Sequence, residues 1–376
     1  MAPKATRNTS VEALRLVAVA GIAIFHTFQW TFQAVCTGVP EYAPFAAFPY
    51  SGALGFINLL GCWANEVFFM ISGYFLIASA ARAWDDGGTR ASQLQRTVKR
   101  LGKVILPTAF YCLVALTWST AISPIPDVSL HTHYWYSLGL EFIWVYAATV
   151  CMAPLFGLAK DRLPKRGYTA AVIIVGILVF IINGHLAAQS LVNGGEFSWL
   201  QKIMSAVTYV VAFLMGGLLR DYTESTSQLK ARAVAKCSLT AVLIIAIGLE
   251  ATLSVTGNLA AMAVLSYKST SRVSFARAAT SLLFAATRDS KSRITRTANA
   301  IVTLSAATLG FYVMQSLTSS LWRPAFNTML ANILVGQNNS APACALVGIA
   351  ISIAFALLLL LIDTARSQIV HKIKRQ

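Results

Sequence analysis

The sequence predicts an all-α integral membrane protein of about ten transmembrane helices, and three observations predict it. Only 12% of the 376 residues are charged, about half the share in a soluble domain, while 56% are hydrophobic. Apolar runs near 20 residues, the length that crosses a bilayer as helix, recur from residue 11 to residue 365 with no soluble-looking block between them. The basic residues fall in short clusters between the runs, so the formal charge of +16 reads as membrane anchoring and no nucleic-acid partner is expected.

The first span, 11–33, follows Lys4 and Arg7 and holds Arg15 and His26. Its length and the lack of a small-x-small cleavage site set it apart from a removed signal. The second, 53–81, begins beyond Pro40 and Pro44 and ends at Arg82. The third, 104–122, lies between the cluster Arg96, Lys99, Arg100, Lys103 and the stretch "SPIPD" (123–127). The fourth, 134–158, opens on Tyr134 and Trp135 and stops before Lys160 and Arg162. The fifth and sixth, 169–187 and 200–219, meet at "NGGEFSW" (193–199) and carry Lys165, Arg166 and Arg220 at their other ends. The seventh, 238–256, follows Lys230, Arg232 and Lys236. The eighth, 259–286, is interrupted by Lys268, Arg272 and Arg277, which predicts a broken, amphipathic or cavity-facing segment. The ninth, 298–321, follows Arg288, Lys291, Arg293 and Arg296, and the tenth, 343–364, lies between "GQNNSAP" (336–342) and Arg366.

With the N-terminus in the cytoplasm, 24 of the 30 Lys and Arg fall at cytoplasmic ends, so both termini are expected there. The expectation is one transmembrane domain over 1–376, with short cytoplasmic tails at 1–10 and 365–376. The six cysteines are scattered without a CxxC pair and read as small hydrophobes, and no metal site is expected.

Polar residues inside the spans carry the functional reading. Arg15 and His26 are eleven positions apart, close to three helical turns, so they share one face about 16 Å apart along the axis. Either that face lines a polar cavity, or Arg15 snorkels to the headgroups while His26 makes an interhelical hydrogen bond. Glu66, in "NEVFFMISGYF" (65–75), lies at the same depth as His26, about 22 Å from the cytoplasmic edge. An acid and an imidazole at one level predict a pair in which the carboxylate orients the ring and supports its basicity, with a structural ion pair as the plainer alternative. Gln315 and Glu141 fall near that level. Below them, "QRTVKRLGKVILP" (95–107) gathers Arg96, Lys99, Arg100 and Lys103 on one side of a helix start. Alone it is an anchor; beside Arg15 it suits an anionic cofactor, since Arg forks onto phosphate oxygens and Lys adds a point charge.

Taken together these stretches resemble acyltransferase family 3, the polytopic membrane acyltransferases that O-acylate bacterial surface glycans and related acceptors. Arg15 and His26 match its Arg-x10-His motif, and "EVFFMISGYFL" (66–76) is similar to its aspartate-x-Phe-Phe-x-x-Ser-Gly-Tyr stretch, with Glu66 in the acid's place. Arg100 and Lys103 match an Arg-x-x-Arg pattern with lysine second. "HYWYSLGLEFIWVY" (133–146) resembles its His-x-Trp-Ser-Leu-x-Val-Glu region, Glu141 falling on the glutamate while His133 and Trp135 are off by one. "TLGFYVMQS" (308–316) is similar to Thr-Leu-Gly-Ile-Tyr-Leu-x-His, with Gln315 in the histidine's place. The matches run in order from about residue 8 to residue 316, in the pattern of the stand-alone form.

The resemblance implies a multi-pass enzyme of the bacterial cytoplasmic membrane that takes an acyl group, acetyl by default, from cytoplasmic acyl-CoA to a hydroxyl of a cell-surface glycan or lipid-linked glycan. It implies donor phosphates at Arg15, Arg96, Arg100 and Lys103, and catalysis at His26 as base with Glu66 and Glu141. The acceptor would meet Ser72, Tyr74, Trp135, Tyr136 and Gln315. The Ser-Gly-Tyr context of Ser72 also reads as close helix packing. A transporter or flippase with an intramembrane His/Glu/Arg path is the rival reading, set against the family register and the lack of an inverted repeat. A non-catalytic scaffold leaves the matched depth of His26 and Glu66 unexplained.

The charge pattern places loops 123–133 and 188–199 outside. Single cysteines at Ser129 and Ser198, in a cysteine-free background, are expected to react with impermeant thiol reagents on intact cells. Labelling only after permeabilisation would reverse the topology.

Overall fold

The structure, a computed structural model, describes residues 8–126, 128–129, 140–193, 198–265, 271–288, 296–336 and 340–373. It is all helix, with no strand among the described residues. The chain runs through α1 (Thr9–Cys36), a short 3-10 turn (Pro40–Phe45), α2 (Tyr50–Asp85), α3 (Arg90–Ala121), α4 (Glu141–Arg162), α5 (Lys165–Asn193) and α6 (Ser198–Ser225). It continues through α7 (Gln228–Val255), α8 (Leu259–Leu265), α9 (Arg272–Thr287), α10 (Arg296–Ser305), α11 (Thr308–Leu317), α12 (Ser319–Gly336) and α13 (Ala341–Ile373).

Eight of these, α1 to α7 and α13, are long and apolar enough to cross a bilayer, and they coincide with the first seven expected spans and the tenth. Both remaining spans are broken. The eighth is α8 and α9, with residues 266–270 between them outside the described residues. The ninth, expected as one helix over 298–321, is α10 and α11 bent by 45°, followed by α12. Its first break has a local cause. The Ser305 hydroxyl donates to the Glu12 carboxylate on α1 (2.7 Å), so the chain turns there to reach a partner. Backbone that leaves the helix at membrane depth is tolerated where protein or a cavity surrounds it, and Ser305, Ala306 and Thr308 line a cavity.

Helix starts follow capping chemistry. The Asn8 side chain accepts from the backbone N–H of Ser10 and Val11 at the head of α1, Thr89 from Ser92 at the head of α3, and Ser271 from Ser274 at the head of α9. α2 is the hub, packed against α1, α4, α6, α7 and α9, and its middle is buried almost without interruption from Gly61 to Ile71. The outer helices turn Ile173, Ile174, Ile177, Leu178 and Ile181 of α5, Ile244 and Ile245 of α7, and Leu357, Leu358 and Leu361 of α13 outward, an apolar surface suited to lipid. Polar side chains tie the layers: Trp84 Nε1 donates to the Pro154 carbonyl, Asn183 to Thr208 and Ser352 to Thr27, while the Tyr111 hydroxyl donates to Asp363.

The α2–α6 contact brings backbones together. A Cβ at Gly73 would overlap the Phe213 carbonyl oxygen, and one at Gly216 the Met70 carbonyl oxygen. This is the close packing that a Ser-Gly-Tyr stretch allows. Gly73→Ala and Gly216→Ala are each expected to destabilise the bundle by about 1–3 kcal/mol, read as a lower melting temperature in detergent. Unchanged melting in both would mean the helices separate without cost.

Candidate active site

A cavity of about 350 Å³, within the size range of small-molecule sites, lies among α1, α2, α3, α4, α10 and α11. Cations from two helices meet in its wall: Arg15 from α1, and Arg100 and Lys103 from α3. Arg15 is held by Glu12 one turn earlier (Nη1 to Oε2, 2.9 Å), and the same carboxylate oxygen accepts from Ser305. Glu12 is buried, so one acid positions the arginine and pins the bend of α10. Arg100 Nη2 donates to Ser79 Oγ (3.1 Å) on α2. Neither Arg100 nor Lys103 is ion-paired with a carboxylate among the described residues. Arg96 is exposed on α3 and does not line the cavity.

Further along, the walls become aromatic. Phe68, Phe142, Tyr146, Phe311 and Tyr312 line them, with the Ser72 hydroxyl donating to Tyr146 (3.1 Å). Phe142 and Tyr312 meet as tilted rings with centroids 4.6 Å apart, and Phe69 stacks flat on Tyr209 at 4.8 Å. Tyr312 is also the link onward, with Glu141 and Arg323 as its electrostatic neighbours.

His26 lies one turn beyond Ile22, which itself lines the cavity. Arg323 Nη2 at the start of α12 donates to His26 Nδ1 (3.0 Å), and the Gln29 side chain faces the same nitrogen at 3.4 Å. The expected pairing with Glu66 is absent: the structure has neither a hydrogen bond nor an ion pair between the two. Glu66 is fully buried, accepts from Cys62 Sγ (3.9 Å) on Oε1 and has no hydrogen-bond partner for Oε2 among the described residues. It turns toward α6, where Asn65 donates to the Tyr209 hydroxyl (3.1 Å) and Tyr209 has Glu66 as an electrostatic neighbour. Equal depth fixes height along a helix and leaves the direction around it open. On that direction the two side chains part.

Gln315 is buried on α11; its backbone carbonyl accepts from Trp322 Nε1 (2.9 Å) on α12, and its Nε2 has no partner among the described residues. Glu141 is the exposed first residue of α4. Tyr74 faces elsewhere, bonded to the Thr223 hydroxyl (2.9 Å) with Arg220 over its ring, and is not brought to the cavity. Trp135 and Tyr136 lie outside the described residues. Among the described residues no group of His, Cys, Asp and Glu is arranged to hold a metal.

Sequence reasoning missed Glu12, Tyr146, Tyr312 and Arg323. Two left a signal: Glu12 stands at i−3 from Arg15, and Arg323 is one of six basic residues outside the basic clusters. The two tyrosines left none, because a tyrosine in an apolar run is ordinary core.

The cavity is cationic at one end and aromatic along its walls; His26 and Arg323 are not among the residues that line it, and His26 stands one helical turn beyond Ile22, which does. The cavity suits an elongated ligand with anionic groups at the mouth and a reactive group deep inside. A family model described as an acyltransferase domain matches residues 8–361, nearly the whole chain. No curated protein and no solved structure matches the chain.

Proposed function

The chain belongs to that acyltransferase family, and from this premise we propose that it carries an acyl group from acyl-CoA to a hydroxyl of a cell-surface glycan or lipid-linked glycan. Acetyl is the default group. The observation that carries the donor assignment is the convergence of Arg15, Arg100 and Lys103 on one cavity from helices about eighty residues apart in sequence. Phosphates bind there, the two arginines as forks and Lys103 as a mobile point charge. The pantetheine arm runs past Ser72, Tyr146 and Phe142 toward Tyr312. The helical rise from Arg15 to His26, about 16 Å, then separates the phosphate anchor from the reaction centre.

His26 takes the proton of the acceptor hydroxyl as it attacks the thioester carbonyl, and returns it to the departing thiolate. Direct transfer needs no acyl-enzyme. Glu66 and Glu141 are the acids the family resemblance assigns to the site, but with Glu66 buried apart from His26 and Glu141 exposed at the head of α4 neither takes a step in the transfer, and Gln315 offers its buried amide to the acceptor. Arg96 adds long-range attraction at the rim. In this reading the basic end and both termini face the cytoplasm of a bacterial cell, where acyl-CoA is found, and the acceptor approaches from the opposite side.

Purified protein is expected to be stabilised by acetyl-CoA. Arg100→Ala with Lys103→Ala removes two charge-assisted contacts of ~1.5–3 kcal/mol each and weakens that binding at least about a hundredfold. Unchanged affinity would return the cluster to the role of a membrane anchor. His26→Ala is expected to bind donor normally and lose turnover, because a base acts in the transition state. Arg15→Ala is expected to raise the donor KM, with Arg15→Lys recovering part. Full turnover in His26→Ala would overturn the mechanism. Mass spectrometry of envelope glycans from a deletion strain would identify the acceptor.

A further inference from the structure

Arg323 stands on α12, outside every basic cluster, and no carboxylate pairs with it among the described residues. Its Nη2 lies 3.0 Å from His26 Nδ1. A guanidinium has five N–H donors, no acceptor, and does not lose its proton in a protein. The imidazole nitrogen must therefore accept. In this geometry His26 is neutral, with its proton on Nε2 and the Nδ1 lone pair covered by Arg323. Gln29 fits the same assignment when its amide is turned to present the NH₂ group to Nδ1. A base whose lone pair is covered takes no proton from a substrate. The cover must leave before His26 can act.

Two further observations say where it goes. Arg323 Nε is buried with no hydrogen-bond partner among the described residues, and the Trp322 ring lies 5.6 Å from the guanidinium carbon. A cation–π contact at that range offsets a small part of the cost of a buried charge. A negative oxygen would offset far more. Tyr312, in the wall of the donor cavity, is an electrostatic neighbour of Arg323, so the same side chain borders the donor route and the guanidinium.

Resting on the acyl-CoA reading above, we propose that Arg323 is a further catalytic residue. It caps His26 Nδ1 while the cavity is empty and turns to the thioester carbonyl oxygen when the donor enters. The turn exposes the base and places a fixed cation where negative charge develops. The acceptor O–H proton passes to Nδ1 as the acceptor oxygen bonds to the carbonyl carbon, and the carbonyl π pair moves onto oxygen beside Arg323. Collapse re-forms the C=O bond and breaks the C–S bond. The thiolate takes the proton from Nδ1, giving ester and CoA thiol, and Arg323 returns to the ring. Linking the base to donor entry also keeps His26 from activating water in an empty site.

The test uses the full chain in native membrane vesicles, with CoA thiol release from acetyl-CoA as turnover, and purified protein for acetyl-CoA binding. Arg323→Gln is expected to lower kcat by about 10²–10³ while leaving donor affinity nearly unchanged. Arg323→Lys retains part of the rate, and guanidinium added to Arg323→Ala restores part of it. Histidine ¹⁵N shifts, read as the difference from a His26→Gln sample, should show an Nε2–H ring that changes when a ketone analogue of acetyl-CoA binds. Wild-type kcat in Arg323→Gln with donor binding intact would overturn the role of Arg323 alone. So would a loss of rate that tracks a loss of melting temperature without guanidinium rescue. A wild-type protein that neither binds nor turns over acetyl-CoA would overturn the acyl-CoA reading instead.

Discussion

Hydrocarbon offers no hydrogen bonds, so a helix that carries an acid, an arginine and a histidine into a bilayer must find partners for them among its neighbours. α1 meets that constraint in two places. Glu12 joins Arg15 to Ser305, and His26 meets Arg323. Both partners lie about 300 residues downstream, on the two sides of the broken ninth span. The breaks in that span are thus tied to the charges of the first.

The same constraint separates scaffold from site. Around α2 the demand is met by removing side chains, since Gly73 and Gly216 let α2 and α6 approach until carbonyl oxygens occupy the space a methyl would need. Such a contact has little freedom to rearrange. On the other side of α2 the packing opens into the cavity. Among the described residues Glu66 Oε2, Gln315 Nε2 and Arg323 Nε are buried and unmatched, as are both Glu250 oxygens and Arg277 Nη1, and none of these groups lines that cavity. Buried unmatched groups are costly in a membrane protein.

Much of this was legible in the sequence, for definable reasons. Spans one to seven and ten follow from hydropathy, because twenty apolar residues in a row have few other fates. The basic layer was legible as charge: Arg15, Arg100 and Lys103 are conspicuous against an apolar background, and the structure brings all three to one cavity. Arg96 shares their cluster and not their cavity, since it lies a turn nearer the start of α3, on the exposed surface. The pairing of His26 with Glu66 failed at the step from height to direction. Rise per residue gives depth to within a turn, but which neighbour a side chain meets depends on how helices are rotated, and that is set by contacts distant in sequence. Tyr74 is placed away from this cavity for the same reason, bonded to Thr223 on α6.

The cavity and the His26–Arg323 pair beyond it are chemically opposed. Phosphate binding asks for mobile, hydrated cations, and exposed Lys103 and serine-bonded Arg100 are cations with no carboxylate partner among the described residues. Acyl transfer needs the reverse: a fixed dipole environment, dry enough that a hydrogen bond to a developing oxyanion keeps its strength. Phe68, Phe142, Phe311 and Tyr312 make the cavity walls largely aromatic. A continuous ninth helix would carry Tyr312 and Arg323 about 16 Å apart along one axis. The helix is interrupted at Thr318, where Trp322 Nε1 donates to the Gln315 carbonyl, and Arg323 on the next helix is an electrostatic neighbour of Tyr312. The contact of Arg323 with His26 thus sits just beyond that interruption.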